Sequence, residues 1–358
     1  MIQYHLVIKG EIFMKKLKWD NKEIIIEIIN PNNSYEIKKD YLELLSLYEF
    51  KLNSFAIPNF QKRIYEDNEI FYNHKTTDFQ RELIDIFFEN DYTTMYIGDY
   101  NHNYKYKNDF NFIEAAVKFF DKLNPVFAEE INKALKKRNI HITNYSKNIA
   151  GNCTKINDNC FYYITNNKSE STFLNFVHEI THGITYDYFD YDFKTLYAEM
   201  PSILVELLAN DYAKDNNLIS EFEYTKNLKN INDAYIYNDY QVTSLLKYII
   251  QNNINSIKDI NKLSKKYQKE NGITFNFKAL TKDSLERLLT YTYSAIVAIS
   301  IYDKYKDNPK KALEIALNIV KNITPDNEKE LISYFDIDLE NSVLRYVKNS
   351  NQLIKKMK

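Results

Sequence analysis

Two histidines and a glutamate lie within the short segment 176–183, which reads Phe-Val-His-Glu-Ile-Thr-His-Gly. His178 and His182 are four residues apart, so on a helix both imidazoles project from the same face, one turn apart. This spacing allows two histidines to hold one zinc ion. Glu179 then faces the same cleft and can take a proton from the attacking water. The segment therefore predicts a hydrolytic site with one zinc ion per chain and Glu179 as the general base.

The alternative is that the two histidines lie by chance on a solvated helix face. The whole chain has only 6 histidines, and chance rarely places two of them in this frame around a glutamate. The remaining four have no partner at ligand spacing and are expected to be surface or packed residues. They are His5, His74, His102 and His141.

A third ligand is expected because zinc in a hydrolytic site usually has three protein ligands and one open position. Glu199 follows His182 by seventeen residues, enough chain to end one helix and enter another. Pro201 fits the first turn of a helix, which places Glu199 at a helix start or a kink. Glu206 lies two helical turns further on and can orient a ligand imidazole as a hydrogen-bond acceptor. The alternative for Glu206 is a surface carboxylate, although apolar residues surround it in the sequence.

These segments resemble the thimet oligopeptidase and oligoendopeptidase F family of zinc peptidases. The family has a His-Glu-x-x-His helix followed by Glu-x-Pro-Ser-x-x-x-Glu, and residues 199–206 read Glu-Met-Pro-Ser-Ile-Leu-Val-Glu. Residues 146–153 and 161–166 are similar to the family's Lys-x-x-Gly stretch and active-site edge strand. Residues 289–295 are similar to its tyrosine-rich helix.

The resemblance implies a mainly α fold of the gluzincin type, a helical bowl around a deep channel with a small β-sheet at the active-site rim. It also implies that Tyr291 and Tyr293 stabilise the tetrahedral intermediate. The chain contains 31 tyrosines, so the same two residues could instead belong to the core.

An aromatic segment, residues 160–166, alternates in the manner of a strand and precedes the His-Glu-x-x-His segment by only a few residues. We expect it to run beside the metal as an edge strand that adds an extended peptide through backbone pairing. Its substrate-binding residues would then be Phe161, Tyr162, Tyr163 and Ile164. The alternative is an internal strand that is paired on both sides.

The composition further limits the classes of partner, fold and compartment to be expected. The chain has 358 residues and a formal net charge of −2, which gives no reason to expect nucleic acid or a membrane as partner. It contains no run of about 18 apolar residues, as a membrane span would require. With 5 Gly and 6 Pro, the turn residues that a large sheet needs are scarce, so a mainly helical chain is favoured. Two cysteines, Cys153 and Cys160, are expected to be free thiols in a reducing, cytoplasmic compartment.

Two regions are expected along the chain. Residues 1–110 form an N-terminal region in which the runs 2–13 and 23–29 could pair as a hairpin, followed by helices. Residues 111–358 form a helical zinc-peptidase catalytic domain. It should begin with two helices broken at Pro125.

The sequence thus predicts a cytoplasmic zinc endopeptidase that hydrolyses short unfolded peptides, with its oligomeric state left open. One alternative is a zinc-containing peptide-binding or scaffold protein without turnover, although Glu179 would have no use in a purely structural site. Another is a different metallohydrolase such as an aminopeptidase, which needs a group that binds the free amine of its substrate.

Overall fold

A computed structural model describes residues 4–8, 11–15, 77, 79–80, 111–143, 150–156, 159–166, 170–189, 192–232, 285–339 and 341–342. The helices of these ranges are α1 (Phe112–Leu123), α2 (Pro125–Lys136), α3 (Glu170–Thr185), α4 (Met200–Asp215), α5 (Glu221–Asn232), α6 (Leu285–Tyr305), α7 (Pro309–Asn322) and α8 (Glu328–Tyr334). The strands are β1 (Tyr4–Ile8), β2 (Glu11–Lys15), β3 (Ile140–Thr143), β4 (Gly151–Ile156) and β5 (Asn159–Thr165). The mainly helical fold class with a small sheet is confirmed. Among the helices described, none has the length and apolar character that crossing a bilayer requires.

The N-terminal hairpin pairs β1 with β2 in antiparallel register, with Tyr4 opposite Lys15 and Ile8 opposite Glu11. Strand β1 and the first half of β2 lie in the run 2–13, so this hairpin forms around the first run and not between the two runs that were expected to pair. Only two residues, one of them Gly10, connect the strands, and a short connection loses less entropy on closure than a longer one. The run 23–29 lies outside the described residues, and the division of the chain at residue 110 remains a prediction.

Helices α1 and α2 meet at Pro125, as the sequence predicts. Asn124 is the residue between them: its backbone N–H donates to the carbonyl of Phe120, 2.7 Å away, and its side-chain oxygen accepts from the N–H of Val126 at 3.1 Å. Pro125 has no N–H to leave unpaired in the first turn of α2. One asparagine therefore ends one helix and caps the next.

The three-stranded sheet has the order β3-β5-β4, with β5 parallel to β3 and antiparallel to β4. Strand β5 was expected from the sequence. Strand β4 was not, because its sequence Gly-Asn-Cys-Thr-Lys-Ile is short and mostly polar. In the described sheet β3 and β4 each have one strand neighbour, so these two strands form its edges and β5 does not.

The expectation that β5 is the edge strand is therefore wrong. Its backbone pairs with protein on both sides, and its side chains Phe161 to Ile164 are at most 5% exposed. A strand covered on both faces belongs in the middle of a sheet. Phe161, Tyr162, Tyr163 and Ile164 are core residues and not a substrate-binding edge.

Helix α3 lies at the centre of the described packing, in contact with α1, α4 and the sheet. Its Phe176 ring meets the Phe112 ring of α1 edge-on, with ring centroids 5.4 Å apart. Helix α4 is buried on all sides from Met200 to Asn210. Helix α4 therefore lies inside the protein, and it packs against α3.

Gly183 of α3 lies against the ring of Tyr162. A Cβ at this position would be 1.9 Å from the Tyr162 hydroxyl oxygen and 2.7 Å from Cζ, so the fully buried ring would have to move. We expect Gly183→Ala to destabilise the protein by about 1–3 kcal/mol through overpacking, although alanine is the better helix former. Chemical denaturation of the metal-free protein would measure this loss.

Tyr162→Phe provides the matched background, because it removes the closest atom and leaves the ring. Gly183→Ala should cost less in that background than in the natural chain. Equal or greater stability of the single variant Gly183→Ala would contradict the packing described.

Candidate metal centre

Helix α3 presents both histidines of the His-Glu-x-x-His segment on one face. Its apolar residues Val177 and Ile180 point into the core and are fully buried. The side chain of His178 is 8% exposed, and that of His182 is 20% exposed. The helix is thus held by its apolar side while its polar face remains partly open to solvent.

Glu199 arrives from the start of α4. It is the N-cap residue of that helix, and Pro201 occupies the first turn, as the sequence predicts. An N-cap side chain often accepts a hydrogen bond from its own helix, but that of Glu199 does not. The carboxylate points at the histidines instead.

The three side chains converge on one point. The Nε2 atoms of His178 and His182 are 2.9 Å apart, and Oε2 of Glu199 lies 3.1 Å from the first and 3.0 Å from the second. Each residue offers one ligand atom to a common position. The structure thus brings together the three residues that the sequence singles out as zinc ligands.

Glu206 stands behind His178. Its Oε1 is 2.5 Å from Nδ1 of the imidazole, and its side chain is only 5% exposed. The alternative of a surface carboxylate is therefore wrong. A carboxylate on Nδ1 keeps the proton on that nitrogen, which leaves the lone pair of Nε2 directed at the convergence point.

The donor atoms suit a zinc ion. With its proton on Nδ1, a neutral His178 directs a lone pair at the Glu199 carboxylate, an arrangement that is repulsive unless a cation lies between them. Ligands of a tetrahedral zinc ion, about 2.0–2.1 Å from the metal, stand about 3.3 Å apart, close to the spacing found here. Two imidazoles and one carboxylate are also a usual ligand set for catalytic zinc.

The charges of the cluster are mutually supportive. Burial disfavours the charged form of Glu199, but the adjacent His182 and His178 outweigh it and hold the pKa of Glu199 well below its ordinary value. Burial also opposes a charge on His178, but Glu206 and Glu199 outweigh that effect and raise the pKa of His178. The carboxylate of Glu199 is therefore ionised near neutral pH, as a metal ligand must be.

Glu179 is buried beside this cluster, at 8% exposure. Burial raises the pKa of its carboxyl group, against the opposing effect of the neighbouring histidines. Strand β4 approaches the carboxylate at Gly151, where a Cβ would lie 2.7 Å from both Cγ and Oε1 of Glu179. Glycine at the head of β4 is thus what allows the edge strand to pass next to Glu179.

The two tyrosines of α6 have different surroundings. Tyr293 is fully buried, and its hydroxyl contacts the hydroxyl of Tyr197 at 3.0 Å and Oε1 of Glu328 at 3.3 Å. The catalytic assignment of Tyr293 is therefore wrong, and the alternative of a core residue holds. Tyr291 is half-buried on the same helix, and its catalytic role remains a prediction.

Three features of the site were not assigned from the sequence: strand β4, the contact of Gly151 with Glu179, and the hydrogen bond between the Ser294 hydroxyl and the backbone N–H of Glu199. The one sequence signal for Gly151 was its place in residues 146–153, the stretch that is similar to the family's Lys-x-x-Gly. Cys153 and Cys160 are free thiols, as expected.

The geometry predicts that the purified protein retains about one zinc ion per chain. His178→Ala, His182→Ala and Glu199→Ala each remove one of three ligands and should each greatly weaken zinc retention. Metal analysis after dialysis against a weak chelator would measure this. His74→Ala and Glu114→Ala are controls of the same residue types and should retain zinc as the natural chain does. A triple ligand variant that keeps full zinc occupancy would rule out this site.

Comparison with known proteins points to one fold. No protein-family model and no curated protein matches the sequence. Solved structures do match. A protein assigned as an oligoendopeptidase F from Bacillus anthracis str. Ames has a TM-score of 0.58 and 14% identity, over 99% of this chain and 71% of that one. A PZ peptidase A, solved with an inhibitor, has a TM-score of 0.58 and 13% identity, over 98% and 72% of the two chains.

A second structure assigned as oligoendopeptidase F has a TM-score of 0.60 and 12% identity, over 98% of this chain and 72% of that one. Likeness at this level of identity establishes the fold. The chain therefore has the fold of the oligoendopeptidase F structures, a mainly helical fold with a small sheet, as the sequence resemblance implied.

Proposed function

We propose that this chain is a zinc metallopeptidase of the thimet oligopeptidase and oligoendopeptidase F family, which cleaves internal bonds of short unfolded peptides. One observation carries the proposal: Nε2 of His178, Nε2 of His182 and Oε2 of Glu199 lie within 3.1 Å of one another, beside the buried carboxylate of Glu179. The names of the solved structures of the same fold support peptides as the substrate class.

His178, His182 and Glu199 would hold the zinc ion. When bound, zinc polarises the scissile carbonyl and makes the attacking water more acidic. Glu206 fixes the tautomer of His178 through its contact with Nδ1, so the ring needs no reorientation during turnover.

Glu179 would transfer the proton. Its pKa is raised towards neutral pH. A group whose pKa lies nearer the working pH can accept a proton in one step and release it in the next. It would take a proton from the attacking water and donate it to the leaving amine. Tyr291 remains the candidate hydrogen-bond donor to the developing oxyanion.

The substrate would pair with β4. This strand lies at the edge of the described sheet, packs against α3, and starts at Gly151 beside Glu179. An extended peptide added along β4 would pass the proposed base and ligands. Backbone pairing discriminates little between side chains, which is consistent with unfolded peptides as substrates.

Two other functions remain as alternatives. A zinc-containing peptide-binding scaffold would not need a carboxylate buried next to the ligand cluster, so Glu179 argues against it. An aminopeptidase would need a group that binds the free amine of its substrate, and the sequence identifies none. A cytoplasmic location, and the absence of nucleic acid and membrane partners, remain proposals from composition.

Glu179→Gln keeps the size of the side chain and removes the base. We expect a folded, zinc-loaded protein whose hydrolysis of an N-terminally blocked, internally quenched peptide is reduced at least about a hundredfold. Glu114→Gln, on the exposed face of α1, is the control and should retain full activity. Normal turnover by Glu179→Gln would reject the mechanism, and cleavage of only the unblocked peptide would favour an aminopeptidase.

Pairing along β4 predicts a particular pattern of backbone sensitivity. In an added strand, alternate peptide N–H groups face the protein strand, so N-methylation along the peptide should weaken inhibition with a period of two residues. The weakening at paired positions should exceed that of side-chain truncation there. Inhibition constants for a methylated series would test this, and a uniform or side-chain-dominated response would contradict pairing.

A further inference from the structure

The metal ligand Glu199 is held by a short connection between two helical segments. A 3₁₀ segment, Asp192–Tyr197, ends two residues before it, and α4 begins one residue after it. His178 and His182 are fixed by the regular hydrogen bonds of α3. Glu199 has only the first turn of α4 on one side, where its carbonyl accepts from the N–H of Ile203 at 2.9 Å.

A single hydroxyl group of α6 bridges this connection. Ser294 is fully buried, and its Oγ donates to the carbonyl oxygen of Leu196 at 2.7 Å. The same Oγ accepts from the backbone N–H of Glu199 at 3.2 Å. One atom thus fixes the distance between the end of the 3₁₀ segment and the metal ligand.

The neighbouring residue of α6 makes a second attachment to the same segment. The Tyr293 hydroxyl contacts the Tyr197 hydroxyl at 3.0 Å, and the two rings pack edge-on with centroids 5.2 Å apart. Tyr197 also donates to the carboxylate of Glu328. Two adjacent residues of α6 therefore hold the connection. Tyr293 contacts the side chain of Tyr197, and Ser294 hydrogen-bonds to the backbone of Leu196 and Glu199.

We infer that Ser294 is a positioning residue for the metal ligand Glu199. Its two hydrogen bonds set the backbone of Glu199 so that the carboxylate faces His178 and His182 rather than capping α4. This inference rests on the proposed function, because it needs the three side chains to bind a metal. Ser294 touches neither metal nor substrate in this role.

Removing the hydroxyl would leave the Leu196 carbonyl and the Glu199 N–H without this partner in a buried setting. The connection would then relax, and metal binding would have to restore its geometry. Residues that orient metal ligands from outside the ligand set typically change metal affinity by 10–100-fold. Ser294 acts through the backbone, so we expect the lower end, about a tenfold weaker affinity for zinc in Ser294→Ala.

Ser300 provides a matched control on the same helix. It is 1% exposed, and its Oγ donates to the carbonyl of Ile296 within α6, one turn back. Ser300→Ala therefore deletes a buried hydroxyl of α6 that makes no contact with the Glu199 connection in the structure described. Both variants should lose some stability when metal-free, but only Ser294→Ala should lose zinc affinity.

The experiment measures zinc dissociation constants by chelator competition, and in parallel the unfolding free energy of each metal-free protein. Ser294→Cys is the second variant. Its thiol keeps the position filled but hydrogen-bonds weakly, so its affinity should lie between those of serine and alanine at this position. If Ser294→Ala does not fold, the zinc affinity of Ser294→Cys tests the inference instead.

Cobalt provides a spectroscopic readout. The visible absorption of the cobalt-loaded protein should change in Ser294→Ala and remain unchanged in Ser300→Ala, because cobalt spectra report ligand geometry directly. Zinc affinities and cobalt spectra equal to those of the natural chain in the Ser294 variants would overturn the positioning role alone. A natural chain that binds no zinc would overturn both this inference and the proposed function.

Discussion

The convergence of two imidazole nitrogens and one carboxylate oxygen, all within 3.1 Å, is the interaction around which the rest of the described structure is arranged. With His178 neutral, as a metal ligand must be, these acceptor atoms repel one another unless a cation lies between them, so the surrounding helices must hold them in place. Helix α3 supplies the histidines at one-turn spacing, and the first residue before α4 supplies the carboxylate. Glu206 and Ser294 then act from behind, on a ring nitrogen and on a backbone N–H respectively.

Polar chemistry in this protein is placed on otherwise apolar helices. Helix α4 is buried from Met200 to Asn210 and still includes Glu206, whose charge is compensated by His178. Helix α3 likewise includes a buried carboxylate, that of Glu179. Its neighbours Val177 and Ile180 lie in the core, and strand β4 passes next to the carboxylate at Gly151. A buried carboxylate without a partner would cost several kcal/mol. His178 stabilises the charge of Glu206, whereas for Glu179 the two histidines only partly oppose the effect of burial, which raises the pKa of its carboxyl group.

The ligand set was predictable from the sequence because helical spacing converts directly into a shared face: His178, His182 and the Glu199–Glu206 pair all lie where their spacing places them. Pro201 likewise marked the start of α4. The position of β5 was not predictable, since alternation identifies a strand but not its neighbours, and the polar β4 gave no strand pattern. Tyr293 was misassigned because a tyrosine in a motif and a tyrosine in a core look alike in a chain with 31 of them. The role of Ser294 was not predictable either, because it depends on a hydrogen bond to Glu199, which is 95 residues away in the sequence.

The buried carboxylate of Glu328 bears on the order of folding. It accepts from Gln80 and Thr77, at sequence separations of 248 and 251 residues, and from Tyr197, 131 residues away. Closing loops of this length costs entropy before the contacts can stabilise the fold. During synthesis, Tyr197 can reach this partner only after residue 328 has left the ribosome. A nascent chain would thus hold the histidines of α3 long before the support of Glu199 is complete, which delays assembly of the candidate metal centre until most of the polypeptide has been synthesised.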